Sequence, residues 1–382
     1  MRKTYVSLLE LSLLRMVTAN PKGGSRLLEV TPRPRSQPTV IAVIVFIVLL
    51  VAGIFYAKWD PYFHKAFTTA ATHTLGASII SGTAASPPPP SLAAAWDYFL
   101  AYFQDIWIAL IVGLVLGAGV QALLPRDWLL RVFGVAGARS ALLAGVLALP
   151  SMMCTCCSAP MVVGMRRANV SNGAALAYWL GNPVLNPATI IFIGFVLGWN
   201  WALLRIIMGI LLVVGAAWLG RREDMRDGVS AEALLDKLPP EEKEPPNRFI
   251  AWLRALWRLC IGLIPEYVVV VALLGLARAW LFPAMSPAIG GSILLLIGLA
   301  IAGTIFVIPT AGEVPIIQTL MGYGLGAGPA GALLMTLPAV SLPSIAMLGG
   351  GRAVSWKLLL NVSILVAIAG IVTGVVALSI GI

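Results

Sequence analysis

Long apolar stretches separated by short polar or basic stretches run along almost the whole chain. An apolar run of roughly 18 or more residues is typical of a helix that crosses a bilayer. Uninterrupted runs predict transmembrane helices at residues 40–57, 101–124, 201–220, 255–281 and 357–380. Four further apolar segments contain prolines in their middle, at residues 142–165, 173–198, 290–321 and 329–348. The pattern therefore predicts an all-α polytopic membrane protein with several broken helices.

The proline breaks repeat along the chain. The spacing from Pro160 to Pro183 equals the spacing from Pro315 to Pro338. The offset that carries the first pair onto the second also carries the apolar span 101–124 onto 256–279. We therefore predict one leading transmembrane helix followed by two copies of a four-element unit. The predicted structural breaks are marked by Pro150, Pro160, Pro183, Pro187, Pro309, Pro315, Pro338 and Pro343.

This organisation divides the chain into six predicted segments. They are a cytoplasmic N-terminal segment (1–39), the leading transmembrane helix (40–57), an external loop (58–100), membrane repeat 1 (101–220), a cytoplasmic linker (221–255) and membrane repeat 2 (256–382). The linker is polar and contains the run PPEEKEPP, which is typical of an extended connection.

Lys and Arg cluster in a few of the connecting stretches, which we assign to the cytoplasmic side. Arg139 and Arg167 flank the first broken segment, so this segment is predicted to enter the membrane and return as a re-entrant hairpin. The flanks of the matching segment, around 282–287 and 322–328, have no Lys or Arg and would face outside. The two copies are then inverted. The alternative is that each broken segment crosses the membrane fully.

Composition supports the membrane assignment. Hydrophobic residues make up 59% of the 382 residues and charged residues only 11%, and the mean hydropathy is +0.92. Soluble domains carry about 25% charged residues. We attribute the net charge of +10 to loops that face anionic lipid, not to nucleic-acid binding.

The expected location is the inner (plasma) membrane with a cytoplasmic N-terminus, and the expected partners are lipid and a small-molecule or metalloid substrate. A homo-oligomer is left open.

Three of the four cysteines, Cys154, Cys156 and Cys157, lie in the first proline break. Thiolates are soft ligands that suit thiophilic metals and metalloids. Cys154 and Cys156 are therefore candidate soft-metal or metalloid ligands, with Cys157 as a third donor. The alternative is that the three side chains only pack as small apolar groups. No cofactor is predicted, and His64 and His73 lie in the predicted external loop, away from these thiols.

Few carboxylates fall within the apolar segments. Glu313 lies in the second copy's hairpin and aligns with Ser158 under the repeat offset, so it is predicted to face the cysteine hairpin. Glu266 and Asp105 lie in two other spans. Carboxylates inside a membrane are costly and often serve in proton relays. Glu313 is the first candidate for proton coupling and Glu266 the second. Asp105 ranks third.

Polar side chains also occur at the other breaks. Asn182 and Asn186 lie in the run GNPVLNP, and Ser341 aligns with Asn186 in the second copy. Their amide and hydroxyl groups are predicted either to bind substrate or to cap the interrupted helices.

The runs MCTCCSAP and GNPVLNPAT, separated by MRRANVSNGAALAYWL, resemble the predicted-permease family that includes the ArsP-type organoarsenical efflux permeases. The similarity covers residues from about Ala101 to the C-terminus. It implies a polytopic inner-membrane protein that exports trivalent organoarsenicals by means of membrane-embedded cysteines, here Cys154 and Cys156. Many members carry a Cys-x-Cys-Gly motif, whereas Cys157 and Ser158 follow Cys156 in this chain.

The sequence thus predicts a permease, a secondary transporter that exports a small thiophilic solute by alternating access, and not an enzyme. Inverted repeats with broken helices are a recurring transporter architecture. No Walker motif of the form GxxxxGK[ST] occurs, so the chain is not expected to hydrolyse ATP. The alternative is a membrane thiol redox enzyme that uses the Cys154, Cys156 and Cys157 cluster.

Overall fold

A computed structural model describes residues 37–134, 137–226, 247–284 and 286–382. The named elements of this part are helical, and seven helical stretches, three of which combine two of the helices given below, are long and apolar enough to cross a membrane. The all-α polytopic class is therefore confirmed. The α-helices are α1 (Gln37–Ile54), α2 (Asp60–Thr72), α3 (Leu92–Ala122), α4 (Arg126–Leu129), α5 (Ala138–Ala148), α6 (Thr155–Arg167), α7 (Asn172–Val184), α8 (Pro187–Val196), α9 (Trp199–Arg226), α10 (Arg248–Leu281), α11 (Ile293–Ile305), α12 (Glu313–Gly322), α13 (Ala327–Ala339), α14 (Leu342–Gly350) and α15 (Trp356–Ile380).

The leading helix is longer than predicted. A π-helical turn at Phe55–Trp59 joins α1 to α2 without a gap, so the helix does not end at residue 57 but continues to Thr72. The amide of Asp60 donates to the carbonyl of Phe55, the wider hydrogen bond of a π turn. In the sequence, the charged Lys58 after an apolar run suggests that the helix ends at the membrane surface. In the fold its side chain is buried, and the helix continues past it.

The region predicted as an external loop (58–100) is therefore helical at both ends. His64 lies inside α2 and His73 caps its C-terminus. The next helix begins at Leu92, where the Ser91 side chain accepts a hydrogen bond from the amide of Ala94. Membrane repeat 1 thus starts about two to three helical turns earlier than residue 101. The side of the membrane that each connection faces stays a prediction.

The internal repeat is present in the helix boundaries. Under the offset that carries Pro160 onto Pro315, α7 begins and ends at the positions equivalent to α13, and α8 and α5 begin at the positions equivalent to α14 and α11. Each copy contains a long helix, a hairpin of two short helices, a pair of helices separated by a proline break, and a second long helix. The first copy uses α3 and α5–α9, and the second uses α10–α15.

The equivalent long helices α3 and α10 pack antiparallel along their length. Arg248, near the start of α10, donates to the carbonyl of Leu123 at the end of α3. Arg278, near the end of α10, donates to the carbonyl of Ala94 at the start of α3, over 3.2 Å.

The other equivalent pair, α9 and α15, shows the same arrangement. Ser355 meets Glu223 at the end of α9, and Leu365 lies beside Gly215 further back along it. Equivalent helices that run in opposite directions mean that the two copies are inverted relative to each other, as the charge pattern predicts.

Both short-helix hairpins start and end at the same end of the fold. The amide of Ser171 donates to the carbonyl of Phe133 over 2.9 Å, and at the equivalent place Gly326 donates to Gly290 over 2.8 Å. The longest of these helices has 13 residues, which is about 20 Å and short of the roughly 30 Å hydrocarbon core. The hairpins are therefore re-entrant and do not cross the membrane fully.

Glycines allow α3 to lie against α6 with backbone contact. A Cβ atom on Gly117 would overlap the carbonyl oxygen of Pro160, and one on Gly164 would overlap the carbonyl oxygen of Gly117. Small residues are common where membrane helices approach closely. This contact fixes α6 next to the long helix of its own copy.

Replacement of Gly164 by alanine is expected to destabilise the protein by about 1–3 kcal/mol or more, because the added methyl group overlaps backbone atoms that cannot move away cheaply. The matched control is Gly298→Ala on α11, where a Cβ atom meets open space. Thermal unfolding in detergent micelles should show a lower midpoint for Gly164→Ala and an unchanged or higher midpoint for Gly298→Ala. Equal midpoints for the two variants would contradict the close packing of α3 on α6.

Candidate functional site

The four interruptions of the repeated helices meet in the interior. We call residues 149–155 the first tip and residues 306–312 the second tip, since they join the helices of the two hairpins. The α7–α8 break contacts the first tip, because the Asn182 side chain accepts hydrogen bonds from the Ser151 hydroxyl and from the amide of Met153. The α13–α14 break also contacts it, because the hydroxyls of Thr155 and Ser341 are 3.2 Å apart.

The predicted break prolines do not all interrupt helices. Pro150 and Pro309 lie in the tips, and Pro183, Pro187, Pro338 and Pro343 lie next to the α7–α8 and α13–α14 breaks. Pro160 and Pro315 instead lie inside α6 and α12. Pro315 is the third residue of α12, where the amide has no helical partner, so a proline is tolerated there. Pro160 is the sixth residue of α6, where it removes one hydrogen bond but does not end the helix.

The three clustered thiols have different partners. Cys154 is the N-cap of α6 and Cys157 lies in its first turn, and their Sγ atoms are 2.9 Å apart. Cys156 points elsewhere, with its Sγ 3.4 Å from the hydroxyl of Ser341. The close pair is therefore Cys154 and Cys157, a Cys-x-x-Cys pair at a helix N-terminus. The predicted pairing of Cys154 with Cys156 does not match this geometry, because successive residues of a helical turn point in different directions.

Within the described part of the chain, no group of three or more His, Cys, Asp or Glu side chains is placed to hold one metal ion. The three thiols therefore offer a two-sulfur site beside a separate third thiol. All three are buried, whereas Cys260 is half-buried and belongs to α10, outside the residues of both tips.

The amide and hydroxyl groups at the breaks act as caps. Asn186 accepts from the amides of Ala188 and Thr189 and so caps α8. Ser341 forms a capping box with Ser344 at the start of α14. The Nδ2 atom of Asn186 is buried without a hydrogen-bond partner. Capping therefore uses the Oδ1 atom of Asn186 but leaves its Nδ2 amide free to donate. The Ser341 hydroxyl, besides its role in the capping box, also contacts the Cys156 thiol.

Arg205 of α9 is a site residue that the sequence reasoning missed. Its fully buried guanidinium donates to the carbonyls of Pro183, Val184 and Leu334. Two of these carbonyls lie one helical turn before a proline, which has no N–H to donate back to them. The arginine thus supplies the hydrogen bonds that proline breaks in both copies remove. An arginine inside an apolar span is itself a signal of function or structure.

Glu313 pairs with this arginine and not with a cysteine. Its Oε1 atom lies 3.4 Å from a terminal nitrogen of Arg205, and both side chains are buried. Its Oε2 atom has no hydrogen-bond partner. Glu313 thus forms a buried ion pair that joins the start of α12 to α9, and that it faces the cysteine hairpin stays a prediction.

The other two candidate carboxylates lie apart from this pair. Glu266 is half-buried on α10 beside Gly350 at the end of α14, and Asp105 is exposed on α3. Neither forms a hydrogen bond or ion pair with the thiols or with Arg205 in the described structure.

Lys58 is the second residue that the sequence reasoning missed. The side chain is only 3% exposed, and its Nζ donates to Thr310 in the second tip over 2.9 Å and to the Tyr62 hydroxyl over 3.3 Å. It also lies close enough to Cys154 and Cys157 to interact with both electrostatically. The neighbouring Trp59 donates to the carbonyl of Pro150 in the first tip, so the leading helix reaches both tips.

Two tyrosines complete the surroundings of the thiols. The rings of Tyr102 on α3 and Tyr267 on α10 are 6.1 Å apart, and both side chains lie close enough to Cys156 to interact with it electrostatically. Both hydroxyl groups are buried without a hydrogen-bond partner. Buried hydroxyls normally find a partner, so this pair marks a place where a ligand or water could bind.

The thiol pairing has a direct chemical test. Phenylarsonous acid forms a stable ring with two adjacent thiols, so it is expected to protect two cysteines from alkylation in the wild type and in Cys156→Ser. Cys154→Ser and Cys157→Ser should each bind it at least about tenfold more weakly, since one of two covalent bonds is lost. Mass spectrometry of the alkylated protein gives the measurement. Equal loss in Cys156→Ser would contradict the assigned pair.

Arg205→Met is expected to destabilise the protein by about 3–5 kcal/mol, because it leaves Glu313 and three carbonyls unpaired in the interior. Glu313→Gln keeps a hydrogen-bond acceptor for the arginine and should cost less. Folded yield and thermal unfolding in detergent compare the two variants. A Glu313→Gln protein less stable than Arg205→Met would show that the carbonyl contacts of the arginine matter little.

The comparisons with known proteins agree with the fold. The ArsP-type family described as predicted permeases matches residues 38–180 and 151–378. The UPF0718 protein YraQ of Escherichia coli strain K12 is 46% identical over 87% of this chain and 94% of its own length. The UPF0718 protein MJ0584 of Methanocaldococcus jannaschii is 22% identical over 70% of this chain and 92% of its own length. No solved structure matches. The chain belongs to the predicted-permease family and is a multi-pass membrane permease.

Proposed function

We propose that this permease exports a small thiophilic solute, such as a trivalent organoarsenical, across the inner membrane by alternating access. The observation that carries the proposal is the buried thiol pair of Cys154 and Cys157, 2.9 Å apart between two inverted copies. A pair of soft donors at the meeting point of broken helices is where a transporter of this architecture would hold a soft substrate.

The chemistry of capture needs no oxidant. An organoarsenical with two hydroxyl groups on trivalent arsenic exchanges both for sulfur. Two arsenic–oxygen bonds and two thiol S–H bonds break, two arsenic–sulfur bonds form, and two water molecules leave. Water or competing thiols on the far side reverse the exchange and release the solute. Cys156 and Ser341, in contact with each other beside the pair, are proposed to orient the bound solute together with Asn182 and Asn186.

The proposed coupling uses the Arg205–Glu313 pair. The arginine belongs to the first copy and donates to a carbonyl of the second, so a change at this pair alters a contact between the copies. A proton on Glu313 removes the negative charge and weakens the attraction to Arg205, which favours separation of α12 from α9. Glu266, at the contact of α10 with α14, is the second candidate for coupling.

The orientation follows from the basic stretches. A cytoplasmic N-terminus and a cytoplasmic 221–255 segment place the first tip on a hairpin that enters from the cytoplasm. The hairpin of the second tip then enters from outside. Lipid and the solute are the proposed partners, and a second copy of the chain is a further one.

Expression in a host that lacks arsenical efflux tests the proposal. Cells with the wild-type protein should tolerate more phenylarsonous acid and accumulate less of it than cells with Cys154→Ser or Cys157→Ser. Cys260→Ser is the matched control and should behave as the wild type, because Cys260 lies on α10 outside the site. Unchanged tolerance with verified expression of the wild-type protein would rule out the arsenical form of the proposal.

Everted membrane vesicles test the coupling. Glu313→Gln should still bind the arsenical in the thiol-protection assay, because it leaves the thiol pair intact. Its uptake into vesicles should no longer respond to an imposed proton gradient, since the residue cannot change charge. A gradient response equal to that of the wild type would exclude Glu313 as the coupling group.

The thiol geometry also favours a second candidate function. Cys154 at the N-cap and Cys157 in the first turn form a Cys-x-x-Cys pair at a helix N-terminus, a position that activates thiols for disulfide exchange. A membrane thiol redox enzyme would use this pair with a quinone or a partner dithiol. Thiol titration in membranes discriminates the two functions: a reversible two-electron couple without solute transport would favour the enzyme.

A further inference from the structure

The positive charge of Lys58 has no carboxylate beside it. No ion pair of the described residues includes this lysine, and its two hydrogen-bond partners, Thr310 and Tyr62, are neutral hydroxyl groups. An ammonium group has three N–H donors, so one donor is left over. Burial of an ammonium group without a counter-charge is costly. The lysine therefore lies in a place that would gain from an anion.

The buried carboxylate of the second hairpin does not supply this charge. Glu313 follows the second tip closely in sequence, but its ion pair is with Arg205. Asp105 is exposed on α3 and forms no salt bridge with Lys58. No carboxylate of the described residues therefore pairs with the lysine, and Asp105 and the two thiols act on it electrostatically without a salt bridge or hydrogen bond.

The position of the lysine ties the missing charge to the thiols. Lys58 interacts electrostatically with both Cys154 and Cys157, and the adjacent Trp59 contacts the first tip, which carries Cys154. Around the same thiols, the hydroxyls of Tyr102 and Tyr267 are also unpartnered donors. The polar groups without a full set of partners around the thiol pair therefore include a surplus positive charge.

Capture of a solute by the two thiols does not cancel this surplus. The exchange of two arsenic-bound hydroxyls for two thiols releases two waters and changes no charge. After capture, Lys58 still lacks a counter-charge unless the solute brings one. An uncharged thiophilic solute would leave the lysine without a counter-charge. A solute with an anionic group would bind the two thiols and pair with the lysine at the same time.

We propose that Lys58, with Tyr62 and Thr310, forms an anion subsite beside the Cys154–Cys157 pair, so that the preferred substrate is a thiophilic solute that also carries an anionic oxygen group. This proposal rests on the proposed function, since it assigns a substrate class to the same thiol site. It gives the leading helix, which lies outside the two repeated copies, a role in substrate selection.

A matched pair of probes tests the subsite. The para-carboxyphenyl and para-carbamoylphenyl arsonous acids have nearly the same size and the same arsenic group but differ in charge. Binding to the purified protein in detergent is measured by protection of Cys154 and Cys157 from alkylation. The wild type should bind the carboxylate at least about tenfold more tightly than the amide, the range expected for a hydrogen bond to a charged group.

In Lys58→Met this preference should fall to a ratio near one while the amide still binds, which also shows that the variant is folded. Lys58→Arg should keep the preference. The control is Lys65→Met, an exposed lysine two turns further along the same helix, which should behave as the wild type.

A wild-type ratio near one, or a preference that survives in Lys58→Met, would overturn the anion subsite. If neither probe protects the thiols of the wild type, the thiophilic-substrate proposal fails and the subsite fails with it. If both probes bind with the expected ratio but vesicles transport neither, the export function fails and the subsite stands. Lys58→Met could also lose binding of the amide probe while Lys58→Arg keeps both the binding and the preference for the carboxylate. That outcome would still support the positive charge at residue 58 as the cause of the preference.

Discussion

The rest of the structure depends on one constraint, that backbone polar groups inside a bilayer must find partners within the protein. Each copy interrupts its helices twice, and each interruption leaves carbonyl and amide groups without helical partners. The side chains that satisfy them are the ones that define the interior of this fold. Arg205 accounts for three of the free carbonyls and joins the two copies in doing so.

This constraint explains why charged and polar residues collect at the centre. The arginine that donates hydrogen bonds to the carbonyls also places a positive charge in the interior, and Glu313 forms an ion pair with it. Asn182, Asn186 and Ser341 serve the tips and breaks through side-chain hydrogen bonds. Most buried polar groups thus have hydrogen-bond partners within the fold. The few that lack one therefore indicate where a ligand or water could bind. Glu313 Oε2 and the hydroxyls of Tyr102 and Tyr267 are among these remaining atoms.

Much of the architecture can be predicted from the sequence because prolines report helix interruptions directly. Pro183 and Pro338 lie at equivalent places next to breaks, and the helices that carry them have equivalent bounds. The charge pattern predicts inversion because loops on one side of a membrane differ in Lys and Arg from loops on the other. Cysteine clustering locates the thiols but not their pairing, because only the turn geometry at the start of α6 decides which sulfurs meet.

The errors have physical reasons of the same kind. The repeat offset aligns equivalent positions within each copy and says nothing about contacts between copies, so it does not reveal that the partner of Glu313 is Arg205. A lysine at the end of an apolar run is ambiguous, because it can lie at the membrane surface or turn into the protein. The spacing of Lys58, Tyr62, Ala66 and Thr69 follows one helical face and these residues are buried or half-buried, a signal for continuation of the helix.

The leading helix is what makes the centre of this protein asymmetric. Two inverted copies alone would present two related tips, each with a threonine at the same position, Thr155 and Thr310. In the fold, Thr155 meets Ser341 of the other copy, whereas Thr310 receives the lysine of the leading helix. The first copy therefore supplies the soft sulfur atoms, and an element outside the repeat supplies the charge beside them. Because the lysine also acts electrostatically on the two thiols, this one residue outside the repeat links the reactivity of the sulfur atoms to the charge that surrounds them.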